Sequence, residues 1–281
     1  MHLVMISLAL AIAITIRRSD ILTQGTWQQR WERSLFCFLF PPLLLLVTAC
    51  AVLYMGPGGQ MLGFSAGWLS YGIAIAFLIT ILGLYLILGY QVWQTQHQLQ
   101  QHPQIHLHHY PARLIDNQLL FSAQIGFWQP QLVIAQGLLD RLTPEQLNAV
   151  LTHERAHSHY RDTFWFFWLG GLRRLTGWLP QTETLWQELL LLRELRADCW
   201  TAQQVDPLLL AETLLLVVSQ PLAPNADFCA PFSCALPANR LAERIDALIS
   251  EPNLCLSQPH PWLWSWVGLC LLPLMSVPLH H

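Results

Sequence analysis

"AVLTHERAHSHYRD", residues 149–162, decides how the rest of the chain is read. His153 and His157 lie four apart, so on a helix they stand one above the other on one face. Two imidazoles so placed can grip one zinc ion. Glu154 sits beside the first of them, within reach of a water on the metal. A helix is expected here. Thr143 is an N-cap candidate, Pro144 suits the first helical position, and Gln146 completes a T-x-x-Q capping box. Leu147, Val150 and Leu151 supply an apolar face. The alternative is a pair of ordinary histidines at a chance spacing, so the motif needs a third ligand.

"LLLLRELRADCW" (189–200) offers one. Glu194 falls on a second expected helix, and Asp198 follows one turn later on the same face. The glutamate would complete a His₂Glu site and leave the fourth position for water. The aspartate could accept a hydrogen bond from the outer ring nitrogen of His153 and fix its tautomer. The competing reading is an amphipathic helix whose acids pair with Arg193 and Arg196. His159 extends the motif but lies two residues from His157, off the ligand face, and is expected at the surface.

Composition places this site in an unusual setting. Of 281 residues, 53% are hydrophobic and only 11% charged, against roughly a quarter charged in soluble domains. Much of the chain is expected to face lipid. The net charge of −3 gives no reason to expect nucleic acid. Four apolar runs are candidate spans: 1–16, 35–55, 67–90 and 262–279. Crossing the hydrocarbon core takes about 20 residues, so the first and last are marginal. The first lacks a basic stretch ahead of it, and Arg17 and Arg18 follow it, so a retained helix is expected rather than a cleaved signal. Pro41 and Pro42 should distort the start of the second.

Arginines orient the spans. Loop 17–34 carries Arg17, Arg18, Arg30 and Arg33, and loop 56–66 carries no charge. Excess arginine in short loops marks the cytoplasmic side, which puts the stretch from about 93 to 261 in the cytoplasm. The cysteines there (Cys199, Cys229, Cys234 and Cys255) show no C-x-x-C spacing and should stay reduced. The division that follows is a membrane region over 1–92, a cytoplasmic domain over 93–261 and a C-terminal span over 262–281.

Three stretches complete the cytoplasmic part. "QTQHQLQQHPQIHLHHY" (94–110), with His97, His102, His106, His108 and His109, reads as a solvated exit from the membrane; a metal-collecting tract is the alternative. Residues 112–139 have short apolar runs broken by Asp116–Asn117, Gly126 and Gly137, a pattern of two or three strands. "TFWFFWLGGLRRLTGWLP" (163–180) is aromatic, but Arg173 and Arg174 interrupt it. It reads as a helix lying in the bilayer interface, or as a buried hairpin.

Residues 130–162 together with "RELRAD" (193–198) resemble the integral-membrane zinc metallopeptidases of the gluzincin type. The likeness covers about 112–250. Within that group the chain looks like the transmembrane sensor proteases that relieve β-lactam-responsive repressors, with the HtpX-like heat-shock proteases and CAAX prenyl endopeptidases as the neighbouring branch. The chain stops at His281 without a sensor domain after its last span, so reception of a β-lactam signal is not expected. The resemblance implies a mainly α membrane protein of about four transmembrane helices. It also implies a cytoplasmic, zincin-like α+β domain built from a small sheet and the H-E-x-x-H helix. One zinc ion per chain would be held by His153, His157 and Glu194, with Glu154 as catalytic base and Asp198 behind the ligands. "ANRLAERIDALI" (238–249) resembles the family's later arginine-containing helix, where Arg240 or Arg244 would steady a substrate carbonyl or close an ion pair.

The expected activity is zinc-dependent endoproteolysis at a multi-pass plasma membrane, in regulation or membrane-protein quality control. Its partners would be a polypeptide substrate and the lipid bilayer. Two other readings stand beside it: a transducer cleaving one repressor-like regulator, and a non-catalytic zinc-bearing scaffold. Glu154 argues against the scaffold, because a structural zinc site closes its fourth position with a protein ligand.

Overall fold

The computed structural model describes residues 2–19, 25–58, 60–61, 64–65, 67–107, 110–218, 239–250 and 265–279. His108, His109, Cys229, Cys234, Cys255 and the first residues of the expected C-terminal span lie outside these. The chain divides into two compact units. One comprises Met1–Ile87, Gly171–Leu189 and Ser257–His281; the other comprises Leu88–Gly170 and Leu190–Leu256.

The first unit is helical. It contains α1 (His2–Arg17), α2 (Trp27–Met55), the two-stranded ribbon β1 (Gln60–Met61) and β2 (Phe64–Ser65), and most of α3 (Trp68–Leu99). Thr26 starts α2 with a reciprocal cap, its hydroxyl accepting from Gln29 N while the Gln29 side chain accepts from Thr26 N. Two helices, α2 and α3, are long and apolar enough to cross a membrane. At 16 residues α1 is about 24 Å long, short of a hydrocarbon core of about 30 Å.

The C-terminal run, expected as one span, is divided among the described residues. It forms α10 (Ser265–Cys270), α11 (Leu272–Met275) and a 3-10 turn at Val277–Leu279. Pro273 and Pro278 cause the breaks, since proline lacks the N–H that would continue the helical ladder. Hydropathy alone does not register this.

Pro41 and Pro42, by contrast, lie inside an unbroken α2. Pro42 has no N–H for the carbonyl of Phe38, one turn earlier. The buried Arg17 supplies the missing donor, with Nη2 3.2 Å from Phe38 O.

The second unit carries a four-stranded sheet in the order β3-β4-β6-β5. Its strands are β3 (Gln104–Leu107), β4 (Tyr110–Ile115), β5 (Ser122–Ile125) and β6 (Gln131–Ala135). β4 and β6 run parallel, and the two edges are antiparallel. The sheet is one strand larger than expected, because β3 lies within the histidine-rich stretch and α3 extends to Leu99. Gly126, at φ 133°, turns β5 toward β6. Gly137 lies where an added Cβ would come within 2.3 Å of Gln118 backbone atoms, so only glycine fits.

Helix α4 (Gln136–Arg141) leads to α5 (Pro144–His159), which starts at the expected cap: Gln146 N donates to Thr143 Oγ1 and Thr143 N donates to the Gln146 side chain. Ala112, Leu132, Ile134, Leu138, Val150 and Leu151 pack sheet and helix into one core. A second core joins Ala149 of α5 to Leu210 and Ala211 of α8 (Pro207–Val218) and to Leu248 of α9 (Asn239–Ser250). Helix α6 (Asp162–Leu175) follows α5 after a two-residue turn, and α7 (Thr182–Ala202) brings in Glu194 and Asp198.

Candidate metal centre

His153 and His157 face the same way from α5, with Nε2 atoms 3.1 Å apart. Glu194, from α7, places Oε2 3.3 Å from His153 Nε2 and Oε1 3.7 Å from His157 Nε2. A tetrahedral zinc with bonds of about 2.1 Å sets its ligand atoms roughly 3.4 Å apart. The three side chains therefore form a triangle of the size one ion requires. Among the described residues these three form the cluster that could hold a metal. Two imidazoles and one carboxylate suit zinc and leave one position open.

Each histidine has a carboxylate at its other nitrogen. Asp198 Oδ1 stands 3.0 Å from His153 Nδ1, close but off the direct hydrogen-bond line. Asp162 Oδ2 stands 2.8 Å from His157 Nδ1. Such contacts fix the tautomer that leaves Nε2 free for metal. Asp162 is buried and ion-paired with Arg196, whose guanidinium lies 4.1 Å over the Tyr160 ring. Nothing in the helical spacing points to Asp162, because Arg161 leaves the helix with φ 54°. Its one signal in the sequence is a carboxylate first in the next helix.

The acids are held as anions. Burial alone would raise the Glu194 carboxyl, but Arg193, His157 and Arg244 reverse this and hold it well below the usual range. Arg193 donates Nε and Nη2 to Glu194 Oε1 at 2.9 and 2.7 Å. Asp198 is likewise depressed against burial, chiefly by Arg244. Burial would lower His157, yet Glu194 and Asp162 outweigh it and push its pKa up to about 10. His153 is raised as well: its contacts with Asp198 and Glu194 outweigh burial.

Arg244 of α9 is buried and forks onto Asp198, Nε to Oδ2 at 2.7 Å and Nη2 to Oδ1 at 2.8 Å. Its Nη2 is also 3.5 Å from Glu194 Oε2. It thus closes an ion pair, one of the two roles the sequence left open. Arg240 pairs with Glu243 instead. His159 is exposed and stacks on Trp200.

Glu154, which follows His153 on α5, is buried. Ser122 of β5 donates its hydroxyl to Glu154 Oε1 at 2.8 Å, and Oε2 has no partner among the described residues. Sequence reasoning gave Ser122 no role at the base. β5 is an edge strand. Ala135 N donates to Phe121 O. By antiparallel alternation, the backbone groups of Ser122 and Gln124 then point to the open edge.

Cys199, one residue past Asp198, departs from expectation: it is buried and disulfide-bonded, with its partner outside the described residues.

A profile of peptidase family M48 matches residues 91–252, more than half of the chain. The chain belongs to peptidase family M48. This is a zinc metallopeptidase family, so the protein is a zinc metallopeptidase. The match names the family, and the β-lactam-responsive branch does not follow from it. A search of the curated proteins returns no match.

Proposed function

We propose that this M48 peptidase is a membrane-embedded endopeptidase in which Glu154 acts as general base beside a zinc held by His153, His157 and Glu194. The supporting observation is the triangle of donor atoms, with Glu154, the residue after His153 on α5, buried and held by Ser122. Zinc bound there would supply Lewis acidity to a water and to a peptide carbonyl. Glu154 takes the proton of the attacking water and delivers it to the leaving amine. Ser122 fixes Oε1, so Oε2 is the atom available for that transfer. Asp198 and Asp162 hold the imidazoles in their ligand tautomers, and Arg244 anchors Asp198.

The polypeptide substrate lies extended along β5, pairing with the outward backbone of Ser122 and Gln124 as an added strand. A Gln124→Pro change removes an outward N–H without touching the sheet ladder. Peptide hydrolysis should fall about tenfold, a loss worth roughly 1.4 kcal/mol, or one to two hydrogen bonds. Unchanged hydrolysis removes the strand from substrate binding.

Helices α2 and α3 are read as membrane spans; Arg18 after α1 and Arg30 and Arg33 in the first turns of α2, against an uncharged α2–α3 connection, favour the cytoplasmic side for the peptidase unit. The Cys199 disulfide runs against that side, since cytoplasmic thiols are kept reduced; thiol labelling of intact cells decides it. Regulatory proteolysis and membrane-protein quality control both fit such a site.

The deciding experiment purifies the protein in detergent, measures bound zinc, and compares casein hydrolysis by wild type and Glu154→Gln. We expect one zinc per chain in both and a loss of about 10²–10⁴-fold in the variant, the usual worth of a general base. Equal activity in both removes Glu154 from the mechanism. Zinc without hydrolysis by either points to a narrow transducer or a scaffold.

A further inference from the structure

α3 carries a pair of aromatic side chains at each end of its apolar stretch. Trp68 and Tyr71 meet edge to face at 6.3 Å. Tyr90 and Trp93 lie 5.9 Å apart, and His97 stacks on Trp93. From Tyr71 to Tyr90 the helix rises about 29 Å at 1.5 Å per residue, the thickness of a hydrocarbon core. No charged residue falls between them, and Ile73, Ile79, Leu82 and Leu86 are exposed. Indole and phenol rings collect at both faces of a bilayer. The turn bearing Tyr90 and Trp93 therefore marks one boundary.

The peptidase unit starts at this turn and brings further aromatics to it. A Cβ on Gly126 would lie 2.8 Å from Gln96 Nε2, so the β5–β6 turn abuts α3 just past Trp93. That turn holds Phe127 and Trp128, whose rings pack on Phe164 of α6 at 5.0 and 5.2 Å. Trp128 is 77% exposed, Trp165 55% and Trp168 42%, alongside Trp93 at 60%. A soluble surface rarely leaves such a patch open unless something covers it. The exposed charges along α6 are cationic, Arg161 just before it and Arg174 in its last turn, which suits anionic headgroups.

We propose that Tyr90, Trp93, Trp128, Trp165 and Trp168 form an aromatic collar that seats the peptidase unit on the headgroup layer of the bilayer crossed by α3. A consequence, resting on the peptidase reading, concerns the substrate. Ser122, which holds Glu154, precedes Phe127 by five residues, about 17 Å of extended chain. A peptide bond within reach of Glu154 then lies within about 20 Å of the membrane surface on that spacing. The substrate class is the juxtamembrane segment of a membrane-anchored polypeptide.

The test uses the full chain carrying Glu154→Gln, so its outcome does not depend on proteolysis. A nitroxide is placed at residue 128, or in a second protein at residue 165, with Cys50→Ser to remove the exposed thiol. The protein is reconstituted in vesicles of phosphatidylcholine and phosphatidylglycerol, and the signal of a chain without the added cysteine is subtracted. Relative accessibility to oxygen over a water-soluble nickel chelate should be several-fold higher at both positions than at residue 145, on the exposed first turn of α5. Values equal to that of residue 145 overturn the seating. Protection accompanied by dipolar coupling between labels identifies a second copy as the occupant and overturns it too. For the substrate, wild type is given anchored peptides whose cleavable segment stands progressively farther from the span. Cleavage should fall several-fold as the spacing passes the collar-to-base distance, and a flat series overturns the juxtamembrane assignment.

Discussion

Arg17 and Arg244 are both buried guanidiniums, and their surroundings are opposite in kind. In the first unit, Arg17 meets neutral oxygens: the Phe38 carbonyl, Thr182 Oγ1 at 3.0 Å and Thr176 Oγ1 at 3.5 Å, with the Phe38 ring 5.2 Å away. In the second unit, Arg244 grips one carboxylate with two donors and approaches another. The first cation repairs a helix that Pro42 leaves one donor short. The second fixes a carboxylate that in turn orients a histidine. A buried charge met by carbonyls and hydroxyls serves the scaffold, whereas one met by carboxylates beside imidazoles serves the candidate metal centre.

Removing each cation sharpens that contrast. Arg244→Met leaves Asp198 buried without its partner, and breaking a buried pair costs about 3–5 kcal/mol. Thermal unfolding in detergent should show this loss, together with a fall in bound zinc. The double change Arg244→Met with Asp198→Asn should recover much of the stability and none of the zinc. Asp162→Asn acts next in size. It weakens the orientation of His157, and loss of such an outer partner costs about 10–100-fold in metal affinity. Competition with a chelator measures it; the unfolding curve should also shift, by less than for Arg244→Met, because the ion pair lost with Arg196 is partly exposed on the arginine side. Arg17→Met is the smallest, about 1–3 kcal/mol for the Phe38 carbonyl left without a donor. Its signature is lower stability with zinc binding unchanged. Loss of zinc in that variant would break the comparison.

Much of the site could be read from spacing alone. His153, Glu154 and His157 share one amphipathic helix whose start is declared by Thr143, Pro144 and Gln146, and Glu194 with Asp198 repeat the one-turn logic on α7. What escaped was everything not periodic. Asp162 reaches His157 through a left-handed residue, and Ser122 reaches Glu154 across the fold from a strand, so neither has a local pattern. Strand β3 was hidden because only Ile105 and Leu107 turn to the core, half-buried, while Gln104 and His106 between them are exposed, so four residues inside a histidine-rich stretch carry too short an alternation to stand out. The C-terminal run scored as apolar, but hydropathy counts Pro273 as a mild residue and is blind to its missing N–H. Arg244 and Arg240 lie on the same short helix, and which one turns inward depends on packing against α7 and α8.

The left-handed turn at Arg161 carries a consequence for how this chain can vary over generations. Arg161 N donates to Ser158 O, and Arg161 O accepts from Phe164 N and Trp165 N, so one residue both ends α5 and opens α6. Inserting or deleting a single residue between His157 and Asp162 would change the length of the turn that returns this carboxylate to the ring, and carry it away from the nitrogen it steadies. This connection is thus length-locked: substitutions are tolerated there far better than gains or losses of residues. Related chains that keep the zinc chemistry should differ freely in loop length elsewhere and keep these four intervening residues as four.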